Sequence, residues 1–158
     1  MNHKVSIRQQ YTFVQGARGR LLNYCEGISD EDFVKENSSF GKGSIRNLLV
    51  HTAATYQYWI GKCCLKREMV FTEREDVNNF QDIREVMPDV DDFMEVFFTL
   101  YEMGEIEDLS WDEAGKTETA SPFKLFTHVI THEFHHKGQI LSLSRHLGYT
   151  PIDTDVML

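Results

Sequence analysis

His132 and His136 stand four residues apart, in a run that also holds His128 and His135. On a helix, side chains four apart are neighbours, about 5–6 Å between their Cβ atoms, so two imidazoles can converge on one cation at about 2.0–2.1 Å each. Leu125, Val129, His132, His136, Gln139, Leu143 and His146 alternate steps of four and three, the spacing of a bundle seam. Two seam places suited to leucine or isoleucine thus hold polar rings that need a partner, which a metal ion would supply. His128 and His132 share the same relation, and His135 is a further option. One straight helix cannot bring positions eight apart to one ion, because they lie about 12 Å apart along its axis. The third ligand must come from another helix. His51 is the leading candidate, mid-helix on the inward side of a second amphipathic run, whereas His3 is terminal.

The segment His132-Glu133-x-x-His136 also fits the H-E-x-x-H pattern, in which the glutamate serves as general base beside zinc. The downstream residues do not complete a peptidase: Ser142 stands six places after His136, and no sheet is visible to hold an extended substrate. Glu133 could reach a metal-bound water, but the reading favoured by its place is a solvated flank.

The elements that must position these residues are four long helices. The first reads from about His3 to Glu26, with Ile7, Tyr11, Val14, Arg18, Leu21 and Cys25 as its stripe. Gly27 stops it, and Ser29 to Asp32 forms a short capped turn. Ser44 caps the second, which runs to about Lys66 with Ile45, Leu48, His51, Thr55, Tyr58 and Trp59 inward. Arg67 to Val77 lacks periodicity and reads as a loop. Asn78 to Glu85 reads as a short helix ending before Pro88, and Asp89 opens the third long helix, which closes near Gly104. Ile106 to Ala120 is a polar connection in which a brief hairpin is possible. Ser121 and Pro122 start the fourth helix and Gly148 ends it. The expected fold is all-α, a single four-helix-bundle domain over residues 1–158 with a central three-histidine site.

Composition narrows the partners. A net charge of -9 opposes the counterion-release binding that nucleic acids and anionic membranes reward, so neither is expected. No run of about 18 apolar residues could span a bilayer. The three cysteines, Cys25, Cys63 and Cys64, lack disulfide or thiolate-zinc spacing, which suggests a reducing cytoplasm. Cys63 and Cys64 are assigned no function, one expected to be buried and one partly exposed.

The segment His128-Val129-Ile130-Thr131-His132-Glu133-Phe134-His135-His136-Lys137-Gly138-Gln139-Ile140 resembles the fourth-helix signature of the DinB (YfiT-like) family. Leu48-Leu49-Val50-His51 followed by Trp59 is similar to that family's second-helix motif, and Gly148-Tyr149-Thr150-Pro151 through Asp155 to its tail. Lys137 stands where an arginine is common. The resemblance covers essentially the whole chain and implies His51, His132 and His136 as metal ligands, a DinB-type bundle and a homodimer. Some characterised relatives use the metal to activate a low-molecular-weight thiol such as bacillithiol or mycothiol.

Three neutral histidines leave coordination positions open, as reactive rather than structural sites do. Nitrogen ligands suit zinc, nickel, iron or copper, with zinc or nickel expected here. The leading expectation is a metal-dependent S-transferase acting on a small-molecule electrophile, with Gln139 near the ion, Tyr58 or Trp59 lining a pocket and Arg18 as an anion clamp. Core packing is the competing role for Tyr58 and Trp59, and a snorkelling surface position for Arg18. The alternatives are a metal-dependent hydrolase using Glu133 and a stress-responsive binding protein whose ion staples the bundle.

Overall fold

The computed structural model describes residues 6–158, so His3 and the expected start of the first helix there lie outside the described residues. Helix α1 spans Ile7–Cys25, with Ser6 accepting the Arg8 N–H at its N-cap. The whole expected stripe is buried, Arg18 included. A one-turn helix α2, Asp30–Val34, comes next behind the Ser29 cap. Helix α3, Ile45–Tyr56, starts at Ser44, whose hydroxyl accepts the Asn47 N–H.

At Gln57 the backbone widens into a π-helical stretch, Gln57–Cys64. The widening turns the side chains relative to a regular helix. Tyr56 and Ile60 become the fully buried residues, whereas Tyr58, expected inward, is 42% exposed and Trp59 half-buried. Gly61 faces the chain returning after Leu65: a Cβ built on it would meet Met69 Cε and Sδ at 2.8 Å, so only glycine admits this approach without a shift. Cys63 and Cys64 are both half-buried, so a partly exposed thiol is found as expected, but neither of the two is fully buried.

Helix α4 runs unbroken over Phe80–Met103, with an Asn79–Asp82 capping box and Gly104 in the left-handed region at its end. Pro88, expected to separate two helices, lies inside it on the exposed face. The missing N–H costs one bond to the Arg84 carbonyl, which water can replace there. The continuous stripe Ile83, Met87, Val90, Phe93, Met94 and Phe97 fixes the helix on either side. The connection Ile106–Ala120 is a true hairpin: β1, Leu109–Glu113, pairs antiparallel with β2, Lys116–Ala120. Its two-residue turn places Ala114 and Gly115 at φ 49° and 77°, the positive-φ pair that matches strand twist. The brief hairpin considered for this connection from the sequence is therefore present.

Helix α5, Pro122–His146, begins with Ser121 accepting the Lys124 N–H and proline in the first turn. It packs against α3, while α4 and α1 close the bundle. The fold is thus mostly helical, the expected four long helices plus one small hairpin. Tyr11, Phe97, Phe98 and Phe126 interlock at its centre with ring centroids 5.4–6.4 Å apart. Each buried ring of this size contributes about 1.5–3 kcal/mol relative to an exposed one. No described helix is long and apolar enough to cross a membrane.

Candidate metal centre

Where α3 and α5 face each other, His51 meets the histidine pair. The His51 ring centroid lies 4.9 Å from that of His132 and 4.9 Å from that of His136, and the two α5 rings are 4.4 Å apart. One ligand atom from each residue lies within 4.8 Å of the others. His132 Nε2 and His136 Nε2 are 3.3 Å apart. Two nitrogens each about 2.0–2.1 Å from one ion at the tetrahedral angle would stand roughly 3.3 Å apart, so the pair already has the spacing a metal requires.

The rings are prepared to be neutral. Burial, followed by the Lys42 charge and His136, lowers the His51 pKa to about 4. Burial and then the neighbouring imidazoles lower His132 to about 4 as well, and burial lowers His136. Gln139 Oε1 accepts the Nδ1–H of His136 at 2.6 Å, which leaves the Nε2 lone pair directed at the cluster. His132 Nδ1 is buried without a hydrogen-bond partner, so no outer group orients that ring as Gln139 orients its neighbour's. Gln139 therefore acts on a ligand ring.

The remaining histidines among the described residues are placed apart from the cluster's ligand atoms. His128 is exposed and packs edge-on against Trp59 at 5.5 Å, His135 is exposed, and His146 lies on the surface edge-on to Phe40. The seam spacing predicts His146 inward, but the helix's buried stripe turns instead through Leu143 and Ser144.

Glu133 is not a solvated flank. Only 6% exposed, its carboxylate accepts Arg18 Nε–H at 2.7 Å, Arg18 Nη2–H at 2.9 Å and the Tyr56 hydroxyl at 2.5 Å. Arg18 also donates to Asp91 at 2.8 Å and to the Tyr11 hydroxyl at 3.1 Å. The expected snorkelling surface position of Arg18 does not hold, since the guanidinium is 5% exposed and directs four hydrogen bonds into the protein. The expectation of an anion clamp is corrected for the same reason. Burial raises the pKa of Tyr11 and Tyr56 above the ordinary phenol range, so both remain donors. This five-residue network joins α1, α3, α4 and α5 one residue along from His132. Tyr56 and Asp91 were not singled out in sequence, where nothing links positions so far apart.

Tyr58 and Trp59 line an open cleft of about 830 Å³ together with His51, so the histidine group borders solvent rather than a sealed interior. Lys137, read only as a substitution for arginine, is buried; its ammonium donates to the Thr154 carbonyl at 2.7 Å and lies 4.1 Å from the Phe134 ring centroid, clasping the tail.

A helical bundle whose facing second and fourth long helices bring three imidazoles together, one of them lining an open cleft, presents a group that could hold a metal ion. The chain belongs to the DinB family, whose model matches residues 1–158. No curated protein matches it.

Proposed function

We propose that the protein is a metal-dependent enzyme of the thiol S-transferase type, with His51, His132 and His136 holding zinc or nickel. The observation that carries this reading is the convergence of three neutral imidazoles at the edge of a cleft, with the α5 pair already at metal-ligand spacing. A divalent cation in that place would favour the thiolate form of a bound thiol, the nucleophilic form.

The chain's own residues supply the rest. Gln139 holds His136 in the tautomer that offers Nε2. Trp59, against His128 and Trp111, forms an aromatic side of the cleft where an electrophile can be oriented. The Arg18–Glu133 pair keeps α5 seated so that His132 and His136 face α3. The same pair weighs against the hydrolase reading: Glu133 already accepts three hydrogen bonds and is poorly placed to take a proton from water. Partial exposure of His51 and His132 weighs against an ion that serves only as a staple.

The test is elemental analysis of protein purified without a histidine tag, repeated on His51→Ala. Stoichiometric metal in the wild type and its loss in the variant are expected; full retention by His51→Ala would overturn the ligand set. A cobalt-substituted sample should change its spectrum on adding thiols, and indifference to them would favour the staple. Turnover of esters or amides without thiol, lost in Glu133→Gln, would favour the hydrolase.

A further inference from the structure

Resting on the thiol-transferase reading, a further question is which molecules the cleft beside the histidines accepts. Its floor is one line of α3 and its π-helical extension: His51, Ala54, Tyr58 and Lys62 step by three, four and four residues and all line it. At about 1.5 Å per residue, the eleven steps from His51 to Lys62 span roughly 16 Å. Ala54 leaves room above the floor. The facing wall is the segment after Met69, held by Gln57, whose side chain accepts the Thr72 N–H and donates to the Thr72 hydroxyl, both at 2.9 Å.

The far end holds the exposed Lys62, a positive charge without an ion-pair partner among the described residues. Lys62 Nζ lies 5.7 Å from the Tyr58 ring centroid and 5.9 Å from that of Phe71, between floor and wall. Ring faces position an ammonium without neutralising it, unlike a carboxylate. Among the described residues Lys62 has no acidic partner within ion-pair distance, although the chain as a whole carries -9. The cleft's two carboxylates are engaged elsewhere, Glu75 with Arg74 at 2.7 Å and Glu73 in the capping box of the Arg74–Asp76 turn.

We propose that the cleft binds an elongated thiol or electrophile that carries an anionic group, with its reacting end at His51, His132 and His136 and its carboxylate or phosphate at Lys62. An ammonium is a point charge that accepts either anion, so the span between the two ends rather than the shape of the anion sets the selectivity.

The experiment is calorimetric titration of zinc-loaded protein at low ionic strength with mercaptoundecanoate, the matching mercaptoundecyl phosphonate and the neutral mercaptoundecanol, with mercaptopropionate as a short control. Metal content is measured for every sample. The long anions should bind about three- to fivefold more tightly than the alcohol, the gain expected of a partly exposed ion pair. Lys62→Ala should abolish that preference and leave mercaptopropionate affinity unchanged, and Lys62→Arg should keep it. Equal binding of long anion and alcohol, or a preference that survives Lys62→Ala, would overturn the anionic subsite while leaving the metal–thiol reading intact. Wild-type protein that takes up no metal, or takes it up and binds no thiol, would overturn that reading and the subsite with it.

Discussion

The chemistry of the site is decided by which nitrogen each imidazole offers and by what it takes to protonate it. Gln139 determines this for His136, and groups that orient a ligand ring typically govern metal affinity by about 10–100-fold. Gln139→Ala is therefore expected to weaken metal binding by about tenfold without unfolding the chain, as measured by competition with a chromogenic chelator. Acid acts on the same rings. His51 and His132 hold pKa values of about 4 in the folded chain against an ordinary value near 6.5, because burial disfavours their charged forms. Between these values the unfolded chain binds protons that the native chain refuses. The metal-free protein should thus keep its stability above about pH 6.5, lose it as pH falls towards 4 and lose no more from these groups below that. Denaturant melts of the metal-free protein across this range check the slope, which His132→Ala should flatten. The histidine trio was legible because helical spacing and an amphipathic partner suffice to bring such residues together. Glu133 was not legible: its spacing to His132 and His136 imitates a catalytic motif, and only the fold reveals Arg18, distant in sequence, as its partner.

Elements hold the trio in register through a device the histidines do not contain. Tyr56 of α3 donates to Glu133 of α5, and Arg18 of α1 bridges Glu133 to Asp91 of α4, so all four long helices meet at one buried polar knot. Removing one partner of a buried ion pair costs about 3–5 kcal/mol, and without Glu133 the buried Arg18 would keep only the half-exposed Asp91. Glu133→Ala should destabilise the protein by about that amount in urea melts, whereas Tyr56→Phe, which deletes one hydrogen bond and preserves the ring, should cost about 1–2 kcal/mol. If Glu133 were instead a solvated flank, its truncation would cost almost nothing. Helix stripes were readable from periodicity because each buries one face. The continuation of α4 through Pro88 was not, since whether proline ends a helix depends on the packing of the residues on either side. Nor was the π-helical stretch, where Gly61 meets Met69 from a chain segment folded back on it.

At the scale of the whole molecule the metal group and the fold are expected to reinforce each other. His51 belongs to α3 and His132 and His136 to α5, so an ion held by all three would cross-link two elements separated by about half of the chain. The unfolded chain has no such convergence, and binding to the native state alone stabilises it by about 4 kcal/mol when free metal exceeds its dissociation constant a thousandfold. The α5 helix is anchored independently at its C-terminal side, where Lys137 binds the Thr154 carbonyl and the Tyr149 hydroxyl donates to Asp32 at 2.7 Å, so the bundle is not expected to depend on the ion to fold. Metal removal should accordingly lower the melting temperature while leaving helical content unchanged, as read by circular dichroism of the same sample before and after chelation. The drop should vanish in His51→Ala, because the α5 pair alone cannot bridge the two helices. A chelated wild type that lost its helices would show instead that the tail clasp and the Arg18–Glu133 knot are insufficient, and that the ion is part of the core.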